Sequence, residues 1–175
     1  MVDLLTVKES RREAIERLAR EFRAGRSVVL STHINADGDG CGSEAALSHI
    51  LTSLGMTVKI VNPTPWPDTY EFLLGGGIED ATSKGSHAIG KTDLLVVLDI
   101  SDVKRLGGLA DAVRKLTVPK LVIDHHIASD EPPSDVIFSD TSACATGELI
   151  YDLAVTLGVE LTPQIAVGLY VASLT

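Results

Sequence analysis

Aromatic side chains are scarce in this sequence: they make up 4% of 175 residues, while 45% of the residues are hydrophobic. A core must therefore be assembled from Leu, Val, Ile and Ala, the usual filling of α/β proteins. Cysteine is scarce too. Cys41 and Cys144 show no metal-ligand spacing and imply no disulfide framework, so both read as small buried thiols in a reducing cytoplasm. No apolar run reaches spanning length and no charged-then-apolar leader opens the chain, which disfavours membrane insertion and secretion. Basic residues are outnumbered: 15 Lys and Arg against 24 Asp and Glu give a formal charge of −9. Broad capture of nucleic acid needs Lys and Arg to displace counterions, so it is disfavoured here. Bound divalent cations would reverse that field locally.

What is present is a regular alternation of helical and strand-like patterns. Ile15, Leu18, Ala19 and Phe22 recur at i, i+3, i+4 and i+7, which predicts a helix over about residues 8–24, ended near Gly25. Leu47, Ile50, Leu51 and Leu54 mark a second helix, stopped by Gly55. Leu106, Leu109, Ala110 and Val113 mark another, and Ile150, Leu153, Ala154 and Leu157 one more, ended by Gly158. Thr162 and Pro163 open a last helix as cap and first residue. Strands are expected at 27–32, 57–61, 94–98, 120–123 and 136–138. The stretch 62–93, punctuated by Pro63, Pro65, Pro67 and Gly75-Gly76-Gly77, reads as irregular. This order predicts a doubly wound, mainly parallel five-stranded sheet with helices on both faces. Length and patterning fit one domain without an internal linker, or the first domain of a longer protein.

Three of the strands end in acidic and histidine-bearing clusters. Ser27–Thr32 is followed by His33-Ile34-Asn35-Ala36-Asp37-Gly38-Asp39. Leu94–Leu98 is closed by Asp99, and Lys120–Ile123 by Asp124-His125-His126. Functional groups in an open parallel sheet gather at the carboxyl ends of its strands. Carboxylates and imidazoles crowded there repel one another or lose solvation unless cations sit between them. Asp37 and Asp39, two apart in an extended loop, would point to opposite sides and serve different ions. Asp99 is placed to bridge both. His125 can reach an ion, His126 is free for an anion, and Asp124 suits a supporting carboxylate that fixes an imidazole tautomer. A mixed His and carboxylate set suits Mn²⁺, with Mg²⁺, Co²⁺ or Zn²⁺ less favoured by ligand type. Taken singly, each cluster has a plainer reading: Asp-Gly-Asp-Gly as a turn, or Asp99 with Ser101 and Asp102 as a helix cap. Three such clusters at three strand ends favour metal. His49 and His87 read as structural or solvated. A dinucleotide fingerprint at Gly38-Asp39-Gly40-Cys41-Gly42-Ser43 fails, because Ser43 replaces its last glycine and Val61-Asn62 supplies no acidic residue.

These clusters resemble the motifs of the DHH phosphoesterase family, named for the Asp124-His125-His126 trio. The resemblance runs on through Arg105-Leu106-Gly107 and Ala145-Thr146-Gly147-Glu148-Leu149-Ile150-Tyr151. Those flanks are similar to the branch with bifunctional oligoribonucleases and 3′-phosphoadenosine 5′-phosphate phosphatases, relatives of RecJ exonucleases. The resemblance implies two divalent ions, one held by His33, Asp37 and Asp99 and one by Asp39, Asp99 and His125. It implies that His126 contacts substrate phosphate, with Asp124 beside it in the catalytic machinery. Arg105 would clamp a phosphate or serve as a surface charge. Thr146 and Gly147 would offer backbone amides to an anion or simply begin a helix.

The implied activity is two-metal hydrolysis of phosphodiester or phosphomonoester bonds in short single-stranded RNA or small nucleotides. Inorganic pyrophosphatase, cyclic dinucleotide phosphodiesterase and a noncatalytic nucleotide-binding or metal-binding domain are the alternatives. No membrane partner is expected, and a homodimer is compatible with the chain. Ala36 stands where the family usually has proline. A fourth-motif Asp is expected just beyond Leu169–Thr175, followed by a second domain with a glycine-rich motif. Residues 1–175 are thus read as a catalytic domain cut from a longer protein, expected to bind divalent metal but to turn over poorly by itself.

Overall fold

The computed structural model describes residues 6–175, which form a six-stranded, all-parallel sheet in the order β3-β2-β1-β4-β5-β6. The strands are β1 (Ser27–Ser31), β2 (Thr57–Ile60), β3 (Glu79–Asp80), β4 (Leu94–Leu98), β5 (Lys120–Asp124) and β6 (Ile137–Ser139). The sheet has one strand more than expected. β3 is only two residues long and both are exposed acids, so no apolar alternation announced it. The rest of 62–93 is also more ordered than its punctuation implied. It holds a 3-10 turn over Asp68–Leu74 and the short helix α3 (Ser86–Ile89).

Alternation along the central strand explains the two layers. Leu94, Val96 and Leu98 of β4 join one buried cluster, while Leu95 and Val97 join another on the opposite face. The first cluster lies under α1 (Glu9–Ala19), α2 (Gly38–Ser53), α5 (Thr146–Thr156) and α6 (Pro163–Ala172). The second lies under α3, α4 (Ala110–Lys115) and the 3-10 turn Val103–Leu109 that precedes α4. Burial on both faces is why these strands read as continuous apolar runs.

Several boundaries differ from the periodicity. α1 stops at Ala19 rather than continuing to residue 24, although Phe22 still packs into the core. The Leu106–Val113 stripe is broken at Gly107, whose φ of +50° kinks the 3-10 segment Val103–Leu109 ahead of α4. The Asp-Gly-Asp-Gly segment is not an extended loop. Asp37 is the N-cap of α2, its carboxylate accepting the Gly40 N–H at 3.1 Å, and Asp39 already lies in the first helical turn. Glycines make that turn fit its surroundings. A Cβ on Gly42 would lie 2.5 Å from the Gly168 carbonyl oxygen, so α2 and α6 touch backbone to backbone. The cysteines divide as well: Cys41 is buried in α2, whereas Cys144 is exposed in the loop between β6 and α5.

The chain builds outward from β1 to β2 and β3, then returns beside β1 to lay down β4, β5 and β6. The strand order therefore reverses between β1 and β4, the position where an open α/β sheet parts its loops into a crevice. No helix among the described residues is long and apolar enough to cross a membrane.

Candidate metal centre

His33 and Asp99 leave the carboxyl ends of β1 and β4 on either side of that reversal. The Asp99 backbone adopts φ +61°, a left-handed conformation that an Asp tolerates better than most side chains. Its N–H still bonds the Ile123 carbonyl at 2.9 Å, so the turn is anchored to β5. The two Asp99 oxygens serve two sides. Oδ2 lies 3.3 Å from His33 Nε2, and Oδ1 lies 3.7 Å from His125 Nε2.

On the first side, the His33 Nδ1–H donates to the Ile34 carbonyl at 2.9 Å. That fixes the ring with Nε2 turned toward Asp99 and toward Asp37 Oδ1, which is 3.7 Å away. Nε2 is buried and has no hydrogen-bond partner. Burial works against a charged imidazole here, yet Asp37, Asp99 and the Ile34 carbonyl raise its pKa to about 10, with Arg105 opposing. The same carboxylates that favour a positive charge on this ring could ligate a cation together with its unpartnered Nε2.

On the second side, His125 donates Nδ1–H to the Ala143 carbonyl at 3.3 Å and brings Nε2 to 3.4 Å from Asp39 Oδ2. Burial and the adjacent Asp99 push the Asp39 carboxyl up to about 6, against the amides of Thr146 and Gly147 and the charge of His125. Those amides donate to Asp39 at 2.7 and 3.0 Å. Ala145, the N-cap of α5, has no side-chain acceptor, and Asp39 takes over that role from α2. The anion met by the start of α5 is thus the protein's own carboxylate. Thr146 also donates its hydroxyl to Asp99 Oδ1 at 3.0 Å. The sequence singled out the Thr146 amide but not this hydroxyl.

The Asp124-His125-His126 trio departs from simple strand alternation, because β5 ends at Asp124. The two imidazoles do not point apart; their ring centres lie 4.4 Å from each other. Asp99, His125 and His126 consequently form one group of closely spaced ligand atoms, and His33, Asp37 and Asp99 another. His126 approaches Asp99 through Nδ1, at 3.6 Å, but that nitrogen already meets buried Asp124 at 2.7 Å. Asp39 is the nearer carboxylate to His125, 3.4 Å from its Nε2, and His126 Nε2 has no partner among the described residues. Asp124 holds His126 twice, since it also accepts the His126 backbone N–H at 3.1 Å.

The remaining candidates lie around this centre. Arg105 is exposed, its carbonyl accepts the Ile34 N–H at 2.9 Å, and no carboxylate among the described residues pairs with it. Asp102, not Asp99, caps the turn that follows β4, accepting the Lys104 N–H at 2.9 Å. His49 is partly buried on α2 and His87 is exposed on α3, both outside the centre. A cleft of ≈ 590 Å³ opens beside β2, with Asn62, Pro63, Trp66, Asp80 and Thr82 in its walls, and contains none of the metal-ligand candidates.

Two imidazoles with backbone-fixed tautomers and carboxylates on each side of a shared Asp, at the switch point of a parallel sheet, make a group that could hold a divalent cation. The DHH family N-terminal domain matches residues 27–173, and the chain belongs to that family. It is 29% identical over 129 residues to the bifunctional oligoribonuclease and PAP phosphatase NrnA of Bacillus subtilis, covering 73% of this chain and 37% of that protein. It is also 29% identical over 148 residues to the NrnA of Thermus thermophilus, covering 85% and 42% respectively. The chain thus spans less than half the length of these relatives. Among solved structures, an exopolyphosphatase-related protein from Bacteroides fragilis superposes with a TM-score of 0.81 at 24% identity, covering 92% of this chain and 49% of that one. The exonuclease RecJ bound to manganese gives a TM-score of 0.55 at 20% identity, covering 94% and 43%. Both structural likenesses describe the fold.

Proposed function

We propose that the chain is the catalytic domain of a phosphoesterase that hydrolyses short oligoribonucleotides or nucleotide phosphates with two divalent ions, Mn²⁺ being the best-suited metal. The observation that carries this reading is the division of the Asp99 oxygens between His33 and His125. Asp37 completes the first ligand set and Asp39 the second. Ions held by these residues would supply Lewis-acid polarisation of a phosphoryl group and a nucleophile at neutral pH. The relatives named for oligoribonuclease and PAP phosphatase activity support the substrate class.

The chain's own residues do the rest. The Ile34 and Ala143 carbonyls hold each imidazole with Nε2 toward the carboxylates. Asp124 accepts from Nδ1 of the half-exposed His126 ring, so that as an imidazolium, which Asp124 would steady, it can donate from Nε2 to a phosphate oxygen as charge builds. Arg105, free of carboxylate partners among the described residues, offers a second contact to a non-reacting phosphate. Incubating the protein with Mn²⁺ and a 5′-labelled RNA dinucleotide, and separately with 3′-phosphoadenosine 5′-phosphate, tests the reading. Slow release of mononucleotide or inorganic phosphate is expected from residues 1–175, and faster release from the full-length protein. Bound Mn²⁺ with neither product from the full-length protein would leave a noncatalytic metal-binding domain.

A further inference from the structure

Arg11 precedes the stretch matched to the family and has no part in the chemistry above. Its side chain is nevertheless only 2% exposed, an unusual place for arginine. We propose that Arg11 is a positioning residue for the Asp39–His125 half of the metal centre. The inference rests on the proposed role of that half as an ion site.

The guanidinium gathers three carboxylates. Nε donates to Asp140 Oδ2 at 2.6 Å, and Nη1 lies 2.7 Å from both Asp152 Oδ2 and Glu148 Oε1. Asp140 begins the loop that follows β6, while Glu148 and Asp152 lie on the first two turns of α5. The second oxygen of Glu148 accepts the Cys144 N–H at 2.9 Å, inside the same loop. Arg11 therefore ties down both ends of residues 140–148. Within that stretch lie the Ala143 carbonyl that orients His125, the Thr146 and Gly147 amides that hold Asp39, and the Thr146 hydroxyl on Asp99. Without Arg11, only the exposed Lys8, 3.4 Å from Glu148 Oε1, would balance three facing carboxylates, and the loop that carries these donors would be pushed apart. The other half is built differently. His33 and Asp37 are fixed by the Ile34 carbonyl and the Gly40 N–H, on a segment that Arg11 does not touch. Arg11 thus bears on one half of the centre.

Calorimetric titration with Mn²⁺ tests this, with Asp39→Asn and His33→Ala identifying the two classes of site. Arg11→Met should weaken by tenfold or more the class lost in Asp39→Asn, and leave the class lost in His33→Ala within about twofold. Arg11→Lys should restore part of the loss. Asp140→Asn, a milder change that removes one contact, should act in the same direction if Arg11→Met does not fold. Equal weakening of both classes, or of neither, overturns the proposal. A wild-type protein with a single class of site would refute the two-ion reading, and ring NMR of the two histidines still decides the role of Arg11 without metal. His125 resonances should move in Arg11→Met and Asp140→Asn while those of His33 stay; unmoved His125, or equal movement of both, overturns it.

Discussion

His33 directs a buried nitrogen with no hydrogen-bond partner at Oδ2 of Asp99, 3.3 Å away. The pairing is costly unless a positive charge accompanies it, because burial penalises an unpaired polar atom and an unbalanced carboxylate alike. The left-handed turn at Asp99 adds to that cost and is kept where it turns the carboxylate toward both histidines.

Replacing Asp99 should therefore cost more metal than replacing either histidine. Asp99→Ala is expected to lose both ions, because each half of the centre uses one of its oxygens. His33→Ala should lose one. Elemental analysis of the purified variants after dialysis against Mn²⁺ measures this directly. If Asp99→Ala keeps as much metal as wild type, Asp99 is not the bridge.

The close crossing of α2 and α6 should be intolerant of a single methyl group. In Gly42→Ala the new Cβ would meet the Gly168 carbonyl oxygen at 2.5 Å and the Ala172 nitrogen at 2.6 Å, both backbone atoms that cannot rotate away. A loss of about 1–3 kcal/mol is expected, the usual cost of overpacking. Urea unfolding compares the midpoints, and an unchanged midpoint would mean that the helices part without penalty. Because Asp39 lies one turn earlier in α2, weaker metal binding should accompany the loss.

The sequence made the strand-end clusters legible because each follows an apolar run directly, and a parallel sheet has only one edge on which such ends can meet. It did not make the local geometry legible. Asp37 and Asp39 looked like an extended loop because Gly38, Gly40 and Gly42 are poor helix residues. Glycine is required there because Thr175, Thr32 and the α6 backbone crowd Gly38, Gly40 and Gly42 in turn, and the helix starts despite them with Asp37 as its cap. β3 escaped notice because its two residues are acidic and exposed. The roles of the Thr146 hydroxyl and of Arg11 depend on contacts 47 and 129 positions away in sequence, beyond the reach of any local pattern. Ala145 did carry a clue: a helix start without a capping side chain leaves amides that some distant acceptor must satisfy.

Acid should weaken the fold through Glu148. Burial works against its charge, but the Cys144 N–H and the Arg11 guanidinium bring its pKa down from 4.5 to about 2. The unfolded chain binds this proton more readily than the folded one. The stabilisation is therefore complete above about pH 4.5 and is lost as the pH falls toward 2. Asp140, also held below the usual carboxylate range by Ser142 and Arg11, acts in the same direction. Urea midpoints measured between pH 6 and pH 3 should fall for wild type and fall less steeply for Glu148→Gln. Parallel profiles for the two proteins would remove Glu148 as the source.

His126 should act on substrate and leave the metal in place. Its ring is half-exposed, and the one nitrogen that faces Asp99 is committed to Asp124 at 2.7 Å. That contact makes Nδ1 a donor to a buried carboxylate and leaves Nε2 for a phosphate oxygen, where a charge-assisted hydrogen bond strengthens in the transition state. In the full-length protein, His126→Ala is expected to lower kcat/KM on an RNA dinucleotide by roughly 10²-fold or more, the scale of losing one such donor. Asp124→Asn should reproduce part of this loss, because an amide accepts from Nδ1 less strongly than a carboxylate and steadies an imidazolium less well. Metal content should match wild type in both variants. Loss of metal in His126→Ala would make the residue a ligand alongside Asp99 and His125, the grouping that proximity alone also permits. Unchanged activity with metal retained would leave the phosphate to Arg105 and the ions.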